Sequence, residues 1–87
     1  MSTKIVVPIS AAQCRGARAL LDMNQTQLAS SAVLGLSTIV DFERGRRQVS
    51  DEAVVAIRKA LEGKGVEFID ENGGGPGVRL KKIRSNK

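Results

Sequence analysis

The chain contains no histidine, no tryptophan and no tyrosine, and it has a single cysteine. Without histidine there is no side chain that ordinarily titrates near neutrality. Cys14 has no base to activate it, and the acidic residues fall mainly in helix caps and strand edges, so no enzymatic activity is expected. Glu67, Asp70 and Glu71 fit no recognised metal-binding loop and read as solvated strand ends; neither metal nor cofactor is expected. One cysteine cannot close an internal disulfide. Cys14 falls on the apolar side of a predicted helix and reads as a small buried residue in a reducing compartment. Two phenylalanines are the only aromatics, so the core must be built from Ala, Val, Leu and Ile, which suits small, closely packed helices. No apolar run approaches the ~20 residues of a membrane span, and the N-terminus lacks a signal-peptide pattern. A cytoplasmic protein with no membrane partner is expected.

Length and charge add to this. Eighty-seven residues make one domain, 1–87, near the lower size limit for folding without staples or a partner, and a dimer would help. The net charge of +5 is uneven: the last nine residues, Arg79 to Lys87, carry five basic groups and no acid, leaving nine of each sign in the other 78. Such a tail suits a polyanion, although it also reads as a solubilising end.

The organising stretch is Asn24 to Gly45, N-Q-T-Q-L-A-S-S-A-V-L-G-L-S-T-I-V-D-F-E-R-G. Asn24 and Gln27 have the spacing of a capping box, and Met23 with Leu28 that of a hydrophobic staple. Leu28, Ala29 and Ala32 recur at helical spacing, as do Ile39 and Phe42 further on. Two short helices are predicted, at about Gln25–Ala32 and Leu36–Arg44, joined by Val33, Leu34 and Gly35 and ended by Gly45. Neither is long enough to stand alone, so both must pack on the rest of the domain.

Upstream, Lys4 to Ile9 is β-branched and extended, restricted to an edge or strand end by Pro8. Ser10 and Gln13 form a second capping-box pair for a helix over Ala11–Asp22, with Cys14, Ala17, Leu20 and Leu21 inward and Arg15 and Arg18 among the exposed positions. Downstream of the basic loop Arg46, Arg47 and Gln48, Ser50 caps a fourth helix. Asp51 and Glu52 complement its dipole, Val49 and Val54 staple it, Val54, Ile57 and Leu61 line its inward face, and Gly63 and Gly65 close it. The helical core thus spans 10–63.

After Gly65 the period changes to the alternation of half-buried strands. Val66–Asp70 and Val78–Ile83 are predicted, with Val66, Phe68, Val78 and Leu80 as inward residues. The loop Glu71–Gly77, E-N-G-G-G-P-G, cannot be helix. A phosphate-binding loop would need a Gly-Lys-Ser/Thr ending that opens a helix, so a hairpin connection is the better reading. An isolated hairpin is marginal and its edge invites another copy. The extension 65–84, with 4–9 as a possible further strand, is therefore expected to dimerise the chain through Val66, Phe68, Val78 and Leu80. The alternative is an intramolecular hairpin packed on the helices.

The segments Q-T-Q-L-A, S-T-I and F-E-R-G together resemble the Cro/C1-type, or Xre-type, regulators, whose fold is four helices around a helix-turn-helix. The resemblance covers about Gln13 to Leu61, and the G-V-E-F-I-D-E-N-G-G-G-P-G-V-R-L ending resembles that of some small bacterial members. It implies that Asn24 and Gln25 touch the DNA backbone and that the third helix reads bases through Leu36, Ser37, Thr38, Val40 and Asp41. Arg44, Arg46 and Arg47 are expected on phosphates, and Arg18 and Glu43 are implied to form a structural salt bridge. Two departures stand out. The usual turn glycine is Val33, for which positive φ is costly; either the turn avoids that conformation, with Gly35 adopting it, or the register shifts. The other is Asp41, an acid in the reading helix.

The leading expectation is a homodimeric, nucleoid-associated regulator that binds double-stranded DNA at an inverted repeat. The alternatives are a protein-binding antiactivator or antitoxin-like module that keeps the fold, and a mobile-element protein that directs recombination.

Overall fold

The computed structural model describes residues 7–46 and 48–82. Its elements follow in the order α1 (Ala11–Leu21), α2 (Gln25–Ala32), α3 (Leu36–Arg44), α4 (Asp51–Gly63), β1 (Val66–Ile69) and β2 (Gly77–Leu80). Arg47, the segment before Val7 and the tail from Ile83 lie outside the described residues.

Side-chain caps start α1, α2 and α4. Ser10 Oγ accepts from the Gln13 N–H at 3.0 Å, while Gln13 Oε1 accepts from the Ser10 N–H at 2.8 Å. Asn24 and Gln27 repeat this reciprocal bonding at 2.7 and 2.9 Å. Ser50 caps α4 through the Ala53 N–H, with Asp51 and Glu52 in the first turn. Each arrangement satisfies N–H groups that a helix start otherwise leaves without a partner.

The ends of α1, α2 and α3 share one geometry, a left-handed residue flanked by two backbone bonds reaching back into the last turn. That residue is Asp22 (φ 57), Val33 (φ 57) or Gly45 (φ 66). The turn therefore does not avoid positive φ at Val33, and Gly35 does not adopt it in its place, since Gly35 has φ −69 and ψ 149. Bonds from the Val33 N–H to the Ser30 carbonyl and from the Leu34 N–H to the Ala29 carbonyl close the end of α2. Leu34 is half-buried against the core. The turn thus needs a left-handed residue between α2 and the inward Leu34, and Val33 occupies the position.

The core lies between the helices and continues under the hairpin. Cys14, Ala17, Leu28, Ile39, Ile57 and Leu61 are fully buried, and Val66 and Phe68 of β1 join them. Leu20 departs from the inward face expected of it and is 42% exposed, while the polar Gln13 is buried instead. Gln13 is tolerated there because its amide nitrogen donates to the Gly77 carbonyl at 2.8 Å, with the Ile69 carbonyl at 3.4 Å. One side chain thus caps α1 and ties it to the hairpin.

The two strands pair with each other in antiparallel register, Val66 opposite Leu80 and Phe68 opposite Val78. The Lys81 N–H donates to the Gly65 carbonyl at 2.7 Å. By the alternation of an antiparallel ladder, the 67/79 and 69/77 pairs exchange backbone bonds, and the main-chain groups of Val78 and Leu80 face away from β1. On the outer face Arg79 bonds Glu67, at 3.0 Å through Nε. β2 packs along α1 where Gly16 leaves room: a Cβ there would lie 3.3 Å from Val78 Cγ1.

Candidate nucleic-acid interface

At 100° per residue, Leu36, Val40, Arg44, Ser37 and Asp41 fall on one stripe of α3, and Ile39, Phe42 and Glu43 fall on the other side. Burial follows this division. Ile39 and Glu43 are buried, whereas Leu36 (46% exposed), Ser37 and Arg44 are open to solvent and Val40 and Asp41 are half-buried. Thr38 sits off the stripe, half-buried on the flank next to Phe42. The start of α3 has no side-chain cap, because Gly35 is its N-cap residue. Among the described residues no side chain bonds to the cap at the positive end of this helix.

Around this stripe lie the other residues expected on the DNA. Asn24 is exposed at the start of α2, with its side-chain oxygen spent on the cap. Gln25 is half-buried, and its amide nitrogen donates to Glu43 Oε1 at 3.0 Å. Arg44 and Arg46 are exposed at the end of α3.

Glu43 is the hub that fixes these pieces together. Arg18 approaches it fork to fork, Nε to Oε2 and Nη2 to Oε1, each at 2.7 Å. Cys14 Sγ donates to Oε2 at 3.0 Å. The Glu43 side chain is only 2% exposed. Burial by itself would raise its pKa, but hydrogen bonds from Arg18, Cys14 and Gln25 and the Arg18 charge outweigh that and hold the carboxyl below its ordinary value. The same contact raises Arg18. Burial, then the hydrogen bond to Glu43, pushes the Cys14 thiol far up, so it stays protonated and serves as a donor. α1, α2 and α3 are thus locked at one buried carboxylate, and this sets the angle at which α3 is presented.

Sequence reasoning paired Arg18 with Glu43 only by resemblance, and it did not find Cys14 or Gln25 in the same network. From the sequence Arg15 is one exposed position of α1 among others. Arg15 Nη1 donates to the Glu43 main-chain carbonyl in the last turn of α3. A cation at that carbonyl complements the negative end of the helix, but nothing in the local pattern around Arg15 points there.

Of the residues expected to dimerise the chain, Val66 and Phe68 face into its own core, Val78 is half-buried and Leu80 is 53% exposed. Among the described residues no cluster of acidic, cysteine or histidine side chains has the makings of a metal site. No described helix is long and apolar enough to cross a membrane.

No curated protein matches the chain. A family model described as helix-turn-helix matches residues 15–68, from the middle of α1 to β1. That span contains Arg18, Gln25 and Glu43 of the network that locks α1, α2 and α3, with Cys14 one residue before it, and the solvent-facing stripe of α3, and the chain belongs to this Cro/C1-type helix-turn-helix family of DNA-binding regulators.

Proposed function

We propose that the chain is a homodimeric, sequence-specific transcriptional regulator that binds double-stranded DNA at an inverted-repeat operator. The observation that carries the reading is the stripe of α3 in which Leu36, Ser37 and Arg44 are exposed and Val40 and Asp41 half-buried, held by the Glu43 network and flanked by Asn24 and Arg46. Leu36, Ser37, Val40 and Asp41 read bases: Ser37 bonds base edges, Leu36 and Val40 meet thymine methyls, and Asp41 accepts from a cytosine amino group. Thr38 takes part from the flank of the stripe. Asn24, Gln25, Arg44, Arg46 and Arg47 hold phosphates, Gln25 through the groups its bond to Glu43 leaves over.

Dimerisation runs along the outer edge of β2. Its support is that the main-chain groups of Val78 and Leu80 face away from β1, and that Leu80 and Leu20 expose apolar surface on the same flank. From Gln13 at Gly77 to Leu20 and Leu80, helix and strand both advance about 10 Å. Val66 and Phe68 contribute by fixing β1 beneath that edge.

Selection of bound duplexes from a random-sequence pool tests the reading. An enriched palindrome with half-sites about 34 Å apart, bound at least ~10³-fold more tightly than scrambled duplex, is expected. A pool that stays random after several rounds would refute sequence-specific binding. A protein-binding module is the second reading, favoured by Val33, which is 87% exposed beside the turn, and by Leu36. It gains if such a pool stays random while a partner co-purifies.

A further inference from the structure

We propose that Arg15, on α1, is a phosphate-binding residue that joins the α2 and α3 ends of the DNA face into one anion-binding rim. The inference rests on the DNA-binding reading above and adds a residue from outside the helix-turn-helix pair.

The placement comes from Glu43. Its carboxylate holds Gln25, the first residue of α2, and its main-chain carbonyl holds the Arg15 guanidinium. Arg44 follows it directly in the chain. Arg15 therefore lies at the junction between the start of α2 and the end of α3, two places that otherwise form separate phosphate contacts. An open hollow of about 460 Å³ borders it, lined also by Arg18, Asp22 and Asn24.

Two arginines line this hollow, and their hydrogen bonds distinguish them. Arg18 uses Nε and Nη2 on Glu43 and Nη1 on the Met23 carbonyl at 3.1 Å. Each of its nitrogens has a partner within the chain. Arg15 is exposed and commits Nη1 to one carbonyl, and a guanidinium carries five N–H donors in a fixed fork. One bond orients the plane while the rest of the fork stays open to a bidentate anion. That matches a phosphodiester better than a freely rotating lysine would, because less rotamer entropy is lost per bond formed. Asp22 in the same lining makes a free dianion a poor occupant. A phosphodiester held at several other points along the rim brings only one charge to this position.

The competing explanation is that Arg15 merely caps α3. Salt dependence separates the two, because a cap changes stability whereas a phosphate contact changes the number of counterions released. Wild type, Arg15→Gln, Arg15→Lys and Arg46→Gln would be titrated into a short fluorescent duplex of scrambled sequence between about 50 and 200 mM salt, with a thermal melt of each. Arg15→Gln is expected to bind about tenfold more weakly and to reduce the slope of log K against log salt by about 0.9, while Arg15→Lys keeps the slope. A lower melting temperature with slope and affinity unchanged would assign Arg15 to capping and overturn the proposal. If Arg46→Gln loses slope and Arg15→Gln does not, only the role of Arg15 falls. Absence of salt-dependent binding by the wild type would overturn the DNA reading and this contact together.

Discussion

Val33 and Glu43 show how single residues bear on this fold. A β-branched side chain in the left-handed region costs roughly 1–2 kcal/mol, and Val33, at 87% exposure, regains almost none of it from packing. Val33→Gly is expected to stabilise the chain by about 1 kcal/mol, since glycine's greater freedom in the unfolded state offsets part of the relief. Chemical denaturation measures this, and an unchanged midpoint would show that the strain is absorbed elsewhere. Glu43 predicts a pH dependence. Its folded-state pKa is depressed, so its contribution is complete above the unfolded carboxylate value of about 4.3 and is lost as pH falls through the lower folded value. Glu43→Gln should cost about 3 kcal/mol at neutral pH. Stability measured from neutral to acid pH should then decline less steeply below about pH 4 in the variant than in the wild type.

Between elements, the contact of α1 with the hairpin depends on two residues whose local roles differ from their tertiary ones. Gln13 reads in sequence as the second half of a capping box, and it does cap α1, yet its amide also bridges to Gly77. Gly16 looks like a weak point in a helix, but a larger residue would collide with Val78. Gly16→Leu should push β2 from α1 and destabilise by about 2 kcal/mol despite better helix propensity. Thermal melts would show it, and a stabilised variant would mean that the hairpin yields freely. Arg58 makes a similar tie from α4. It bonds Glu62 at 2.9 Å and the Val7 carbonyl at 2.7 Å and lies over the Phe68 ring at 5.4 Å. The segment before α1, α4 and β1 are thereby held together.

At the scale of the whole molecule, the hairpin belongs to the same hydrophobic core as the helices. Val66 and Phe68 are part of that core, so a chain ending at Lys64 should lose on the order of 4 kcal/mol or more and fold poorly. Circular dichroism of the shortened chain would reveal this, and a fully helical, cooperative melt would contradict it. Removal of the hairpin is consequently a poor test of dimerisation. Leu80→Lys, at an exposed position, is the cleaner one, with the mass in solution expected to fall from dimer to monomer.

The starts of α1, α2 and α4, the periodicity of the four helices and the first strand were legible in the sequence, because caps, staples and inward stripes act over three or four residues; the second strand, expected over Val78–Ile83, runs Gly77–Leu80 and ends before Lys81. The sequence also marked the solvent-facing stripe of α3, since a helical wheel needs only the helix. What those elements share depends on contacts between residues far apart in the chain. The bond from Arg18 to Glu43 spans 25 positions and that from Gln13 to Gly77 spans 64, so no local pattern encodes either. The left-handed Val33 follows the same logic: a glycine rule would have found Gly45 alone among three similar helix ends. At Val33 the packing of Leu34 and the closing backbone bonds outweigh an intrinsic preference of only 1–2 kcal/mol.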